Sequence, residues 1–127
     1  MIGIALDGTD VTDKCVDYLI ELPNLRWVNL NGTQLTGAGL SRLGGLRELV
    51  ILELNGCPIS HEGVNELSRL TNVRCLGLYN TGITDADLDV LNTMPQIGTI
   101  RLAKKDISRE AVKRFSDAHP KCTIEWR

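Results

Sequence analysis

Aromatic rings are scarce in this chain: they make up 4% of its 127 residues. A core with so few rings must be filled by branched aliphatics, which suits small identical units stacked in register. An excess of one charge is missing too. The formal net charge is −2, and Lys and Arg are scattered rather than gathered into a basic block. That excludes the electrostatic footprint of a nucleic-acid binder. No apolar run approaches the ~18 residues of a membrane-spanning helix. The N-terminal stretch MIGIALDGTDVTD has no charged leader followed by an apolar segment, so no signal peptide is expected there. Cys15, Cys57, Cys75 and Cys122 form no C-x-x-C pair, and no histidine stands at metal-ligand spacing from them. Reduced thiols in a cytoplasmic protein, with no metal or cofactor, are the expectation.

What is present is a repeat. Cut every 24 residues from Met1, the chain aligns with itself without insertion or deletion over 1–24, 25–48, 49–72, 73–96 and 97–120. A terminal strand, 121–127, opens a sixth unit, and the whole reads as a single domain. Seven positions of the unit (1, 4, 6, 11, 16, 19 and 22) should be apolar if they face a core. They are apolar at 37 of 38 sites, Lys121 being the exception. Position 6 alone reads Leu6, Leu30, Leu54, Leu78, Leu102 and Trp126.

The period changes inside each unit. Positions 4 and 6 alternate as in a strand, whereas positions 16, 19 and 22 fall on one face of a helix. Position 12 lies between them and is always a hydroxyl: Thr12, Thr36, Ser60, Thr84 and Ser108. A hydroxyl oxygen there can accept from the free N–H groups of a first helical turn, so a helix is expected after each one. The helix after Thr84 should be the best capped, since Asp85 and Asp87 follow it. Strand–helix units that repeat without reversal give parallel strands ~4.8 Å apart. Helices are wider than strands, so the stack must bend with its sheet inside.

The consensus L-x-x-L-x-L-x-G-T-x-[IL]-T-D-x-G-L-x-x-L-x-x-L-P-x resembles the leucine-rich repeat. It is most similar to the bacterial and F-box-associated kind, through VTDKCV (11–16), LTGAGL (35–40), ISHEGV (59–64), ITDADL (83–88) and ISREAV (107–112). The resemblance covers essentially the whole chain. It implies an α/β leucine-rich-repeat solenoid, a right-handed arc with a parallel β-sheet on its concave face and α-helices on its convex face. It also implies non-catalytic protein binding without a cofactor. The chain departs from the family at position 9, where Thr9, Thr33, Cys57, Thr81 and Lys105 replace the usual Asn or Cys. Lys105 cannot be buried, so the last full turn should loosen. An N-terminal cap is not evident, which leaves an edge through which another chain could associate.

Signals of chemistry are weak. His61 and His119 have no Cys or Ser placed to form a nucleophile–base pair, and both are expected to be solvent-exposed surface residues. Asp85, Asp87 and Asp89 imitate the start of a calcium loop, but Val90 and Gln96 occupy its essential Gly and Glu places. Gly8, Gly32 and Gly56 belong to no phosphate-loop motif and are structural. Cys57 belongs to the inward ladder. Cys75 points outward, with no Lys or His beside it to activate its thiol.

The outward strand positions 3, 5 and 7 are more informative. Trp27, Ile51 and Cys75 should form an apolar row across adjacent strands, with Asn29, Asn31, Glu53, Asn55, Tyr79 and Arg101 around it. Such a row is an interaction patch, or lateral packing that shields the sheet, or a surface covered by a flanking segment. The leading expectation is a protein partner on this face, with Trp27 as anchor. A structural or oligomerising element is the alternative, and an enzyme is the least supported. At the C-terminus, Trp126 is expected to lie against Leu102 and Phe115 and close the core.

Overall fold

The computed structural model describes residues 2–127. Its centre is a six-stranded sheet: β1 (Gly3–Ala5), β2 (Trp27–Asn29), β3 (Ile51–Glu53), β4 (Cys75–Gly77), β5 (Thr99–Leu102) and β6 (Thr123–Trp126). The strands stand in sequence order and every neighbouring pair is parallel. Each register is one repeat long, so Trp27 faces Gly3 and Ile51, and Ile51 faces Cys75. Strands and helices stack as an open α/β leucine-rich-repeat solenoid.

Burial follows the apolar frame. Val28, Leu30, Leu52, Leu54, Leu76, Ile100 and Leu102 are completely buried. The frame fails at the two ends: Ile4 and Leu6 are only half-buried, while Leu22 and Ala118 are exposed. Among the described residues, the first and last units have a neighbouring unit on one side only. At position 9, the hydroxyls of Thr9, Thr33 and Thr81 donate to the carbonyls of Leu6, Leu30 and Leu78. The Cys57 thiol donates to Leu30 at 3.0 Å. Lys105 is exposed and lacks this bond, yet the backbone turn persists through Asp106 and Ile107 N–H donated to Ala103.

Three helices start where the hydroxyl frame places them: α2 (His61–Ser68), α3 (Asp85–Leu91) and α4 (Arg109–Ala118). Their caps Ser60, Thr84 and Ser108 accept from Gly63, Asp87 and Ala111 N–H. Thr84 has a reciprocal capping box, because the Asp87 carboxylate also accepts from the Thr84 N–H. The first unit makes only a 3₁₀ turn, Asp13–Cys15, followed by α1 (Val16–Leu19).

The second unit corrects the expectation. No helix follows Thr36, and a 3₁₀ segment, Leu40–Gly45, replaces it. Gly37 and Gly39 hold φ of 98° and 77°, which is incompatible with a first helical turn. Thr36 turns instead to the preceding repeat. Its hydroxyl donates to Asp13 at 2.6 Å, and Thr36 and Gly37 N–H donate to the same carboxylate at 3.0 Å.

The C-terminal expectation holds in part, for Trp126 packs against the edge of the core. It is only half-buried, however, and pairs with Leu102, and the buried Phe115 ring also stacks on His119 at 4.6 Å. The Trp126 indole N–H donates to the Ile107 carbonyl at 3.1 Å, and Lys104 lies over its ring. The histidines are likewise more than free surface groups. His61 is 76% exposed but its Nδ1 stands 2.7 Å from the buried Asp87 carboxylate. His119 Nε2 meets the Asn92 carbonyl at 2.9 Å.

Candidate protein-binding face

Alternation along each strand sends positions 3 and 5 to the concave surface, and parallel in-register pairing lines them up across the sheet. Trp27, Ile51 and Cys75 therefore fall side by side on β2, β3 and β4, each half-buried. The row has a cause inside the sheet. The indole of Trp27 lies over Gly3, where a Cβ would overlap the ring. Lateral packing between strands thus accounts for part of the burial of Trp27.

Position 5 shows the same device with charge. Gly77 has no side chain, so the Glu53 carboxylate occupies the space above β4. It reaches Arg101 on β5, whose Nη1 donates to Glu53 Oε1. Arg101 Nε donates to Glu125 on β6 at 2.7 Å. Asn55 donates to Glu53 at 2.7 Å, and the Tyr79 hydroxyl donates to Glu125 at 3.4 Å. The hydrogen bond from Arg101 pulls the Glu125 carboxyl below its ordinary pKa, against a smaller desolvation effect. Arg101 Nη1 also stands 3.4 Å from the Cys75 sulfur. Burial still pushes the Cys75 thiol upward, and Arg101 only partly offsets it. A raised pKa makes this a weak nucleophile.

The asparagines have a different task. Asn31 Oδ1 accepts the Asn55 N–H at 2.8 Å, Asn55 Oδ1 accepts the Tyr79 N–H at 2.7 Å, and Asn29 Oδ1 accepts the Asn31 N–H at 3.0 Å. The backbone ladder runs on to positions 7 and 8, where the N–H of Gly8, Gly32 and Gly56 donates to Asn31, Asn55 and Tyr79, and the carboxamides add the N–H of position 7 to this network. Asn29, Asn31 and Asn55 are therefore ties within the sheet as well as surface groups.

Glu125, Gly3 and Gly77 complete the surface and were not among the site residues that the sequence singles out. Their signal was in the columns: a glycine opposite a large or charged residue one repeat away. A depression of about 540 Å³ between the fourth and fifth repeats is lined by Asp85, Lys104, Lys105, Asp106 and Ser108. It does not include the concave row. Among the described residues, no group of three or more His, Cys, Asp or Glu is placed to hold a metal, and no helix is long and apolar enough to cross a membrane.

No protein-family model matches the sequence, and no curated protein aligns with it. Solved structures do. A leucine-rich-repeat protein of Leptospira interrogans superimposes with a TM-score of 0.66 at 22% identity, over 96% of this chain and 30% of that one. An internalin of Listeria monocytogenes superimposes with a TM-score of 0.51 at 20% identity, over 95% of this chain and 35% of that one. The protein has the leucine-rich-repeat fold, and it spans about a third of the length of these two.

Proposed function

We propose that this chain is a non-catalytic binding module, one domain over its 127 residues, that holds a partner protein against its concave sheet. The observation that carries this reading is the half-buried row Trp27–Ile51–Cys75 beside the Glu53–Arg101–Glu125 cluster. An apolar centre with a polar border is the usual anatomy of a protein-binding surface. The ion pairs also hold the border rigid, which reduces the entropy lost on association. The repeat unit fits the I-T-D-x-G-L type of bacterial and F-box-associated proteins, and the four free cysteines suit a cytoplasmic location.

Trp27 is the proposed anchor. Truncating a hot-spot Trp typically removes about 2 kcal/mol or more of affinity, roughly thirtyfold. The test recovers a partner on the immobilised chain, then compares Trp27→Ala with the convex-side variant Arg42→Ala by calorimetry. A loss confined to Trp27→Ala supports the reading. Equal affinities with both variants folded would place binding on another face.

A further inference from the structure

Hydrogen-bonding capacity on the concave face is lopsided, and the sheet is the cause. The ties engage the carboxamide oxygens: Asn29 Oδ1 accepts the Asn31 N–H, and Asn31 Oδ1 accepts the Asn55 N–H. Only an oxygen can meet a backbone N–H, so each tie fixes the amide orientation and leaves Nδ2 as the free group. Asn55 Nδ2 is taken by Glu53, but Asn29 Nδ2 and Asn31 Nδ2 have no partner among the described residues. The buried side-chain atoms without a partner are Asn92 Oδ1 and Asp106 Oδ2, so both of these Nδ2 groups are open to solvent.

The acceptors nearby are already engaged. Glu53 takes Arg101 on one oxygen and Asn55 on the other. Beside the Trp27 ring, β2 therefore offers two sets of N–H donors, two residues or ~6.6 Å apart along the strand. Charge narrows what can meet them. From β1 to β4 the outward positions 3, 5 and 7 carry Asp7 and Glu53 and no Lys or Arg. Glu53 pairs in register with Asn29, and Arg101, which reaches over from β5, is held between two carboxylates. An acidic group brought to these donors meets charge of its own sign, so a neutral acceptor fits better. A hydroxyl brings a proton that needs an acceptor in turn, whereas a backbone carbonyl brings none. A helix uses its carbonyls in its own ladder except in the last turn. An extended chain has them free, and those pointing the same way recur at the same ~6.6 Å.

We propose that the partner segment seated here is an extended stretch of polypeptide without acidic side chains. Its backbone carbonyls accept from Asn29 and Asn31 Nδ2, and an apolar side chain covers Trp27 and Ile51. The proposal rests on the concave-face reading above and adds the conformation and chemistry of what binds. Bonds to carbonyls are indifferent to the partner's sequence, so the apolar row supplies the selectivity.

The probe is a displayed library of random linear peptides of about ten residues, long enough when extended to cross the sheet. Peptides enriched on the immobilised chain are remade synthetically for calorimetry. They should contain an apolar residue, lack Asp and Glu, and tolerate Pro beside the apolar residue. Pro keeps its carbonyl and an extended backbone but breaks a helix. Asn31→Asp is the decisive variant, because it keeps an oxygen for the Asn55 N–H but replaces the NH2 donor with an acceptor. It should weaken such a peptide at least tenfold, with the urea midpoint close to that of the parent. The loss should persist at ~1 M salt, where an added charge alone is screened. Asn29→Asp should act in the same direction, which guards against a folding defect confined to the first variant. Peptides lost with Trp27→Ala but indifferent to both Asp variants would keep the concave-face reading and overturn this one. No enrichment over a Trp27→Ala column would overturn it too, while a folded partner recovered whole would still satisfy that reading. A preference for acidic or helix-forming peptides, or a Trp27-dependent signal on a glycan array, would likewise overturn it.

Discussion

Gly3 and Gly77 shape the concave face by what they lack. Over Gly3 an indole lies flat, and over Gly77 a carboxylate bridges to a strand it does not pair with. A side chain at position 3 of the first repeat must lift the Trp27 ring. Gly3→Val should therefore destabilise by about 1–3 kcal/mol, as overpacking does, and shift Trp27 emission to the red when followed in a Trp126→Phe background. Urea unfolding with fluorescence detection measures both. The carboxylate bridge makes a pH prediction. The folded pKa of Glu125 is depressed by the hydrogen bond from Arg101, so its contribution is fully present above the unfolded carboxylate value of ~4.3. It is lost as pH falls through the folded value. Glu125→Gln should flatten the fall in melting temperature on the acid side of that window and change little near neutrality. An unchanged acid slope in the variant would show that the Arg101–Glu125 pair does not couple to folding.

Helix starts show what a linear pattern can and cannot tell. A hydroxyl at position 12 is enough to place the starts of α2, α3 and α4, because capping is a local bargain between one side chain and the next turn. It fails at Thr36 for a reason that exists only once repeats are stacked. A Cβ on Gly37 would meet Gly63 Cα at 2.5 Å, so the second and third repeats touch backbone to backbone there. The strand columns were legible for the same reason the caps were, since a constant 24-residue register turns spacing into adjacency. The Glu53–Arg101 bridge was not, because it skips a strand and depends on Gly77. Two cap variants separate local from inter-repeat roles. Thr84→Ala removes the capping-box hydroxyl and should cost about 1 kcal/mol with α3 frayed at its start. Thr36→Ala breaks the hydroxyl bond to Asp13, should cost about 0.5–1.5 kcal/mol, and should leave helical circular dichroism unchanged. A loss of helical signal in Thr36→Ala would contradict the assignment of that hydroxyl to the repeat before it.

At the scale of the whole molecule, a solenoid is a stack in which each unit is held only by its neighbours, so its ends decide where it opens. The C-terminal end is tied by Trp126, through the strand pair with Leu102, the indole N–H to Ile107 and the Lys104 contact. Fully buried aromatic rings cost about 3–5 kcal/mol when truncated to Ala. Trp126 is half-buried, so Trp126→Ala should cost less, about 1.5–3 kcal/mol including the hydrogen bond. At the other end of the described residues burial is lower: Ile4 and Leu6 are half-buried and Leu22 is exposed. Local opening follows local burial, so in dilute solution β1 should exchange its amide hydrogens before any other strand and β3 should be among the last. Trp126→Ala should reverse that order at the far end, making β6 exchange as early as β1 while β3 is little changed. Hydrogen exchange read by mass spectrometry resolves the strands separately. Uniform acceleration of all six strands in the variant would mean that the stack opens as one cooperative unit and that its ends have no independent stability.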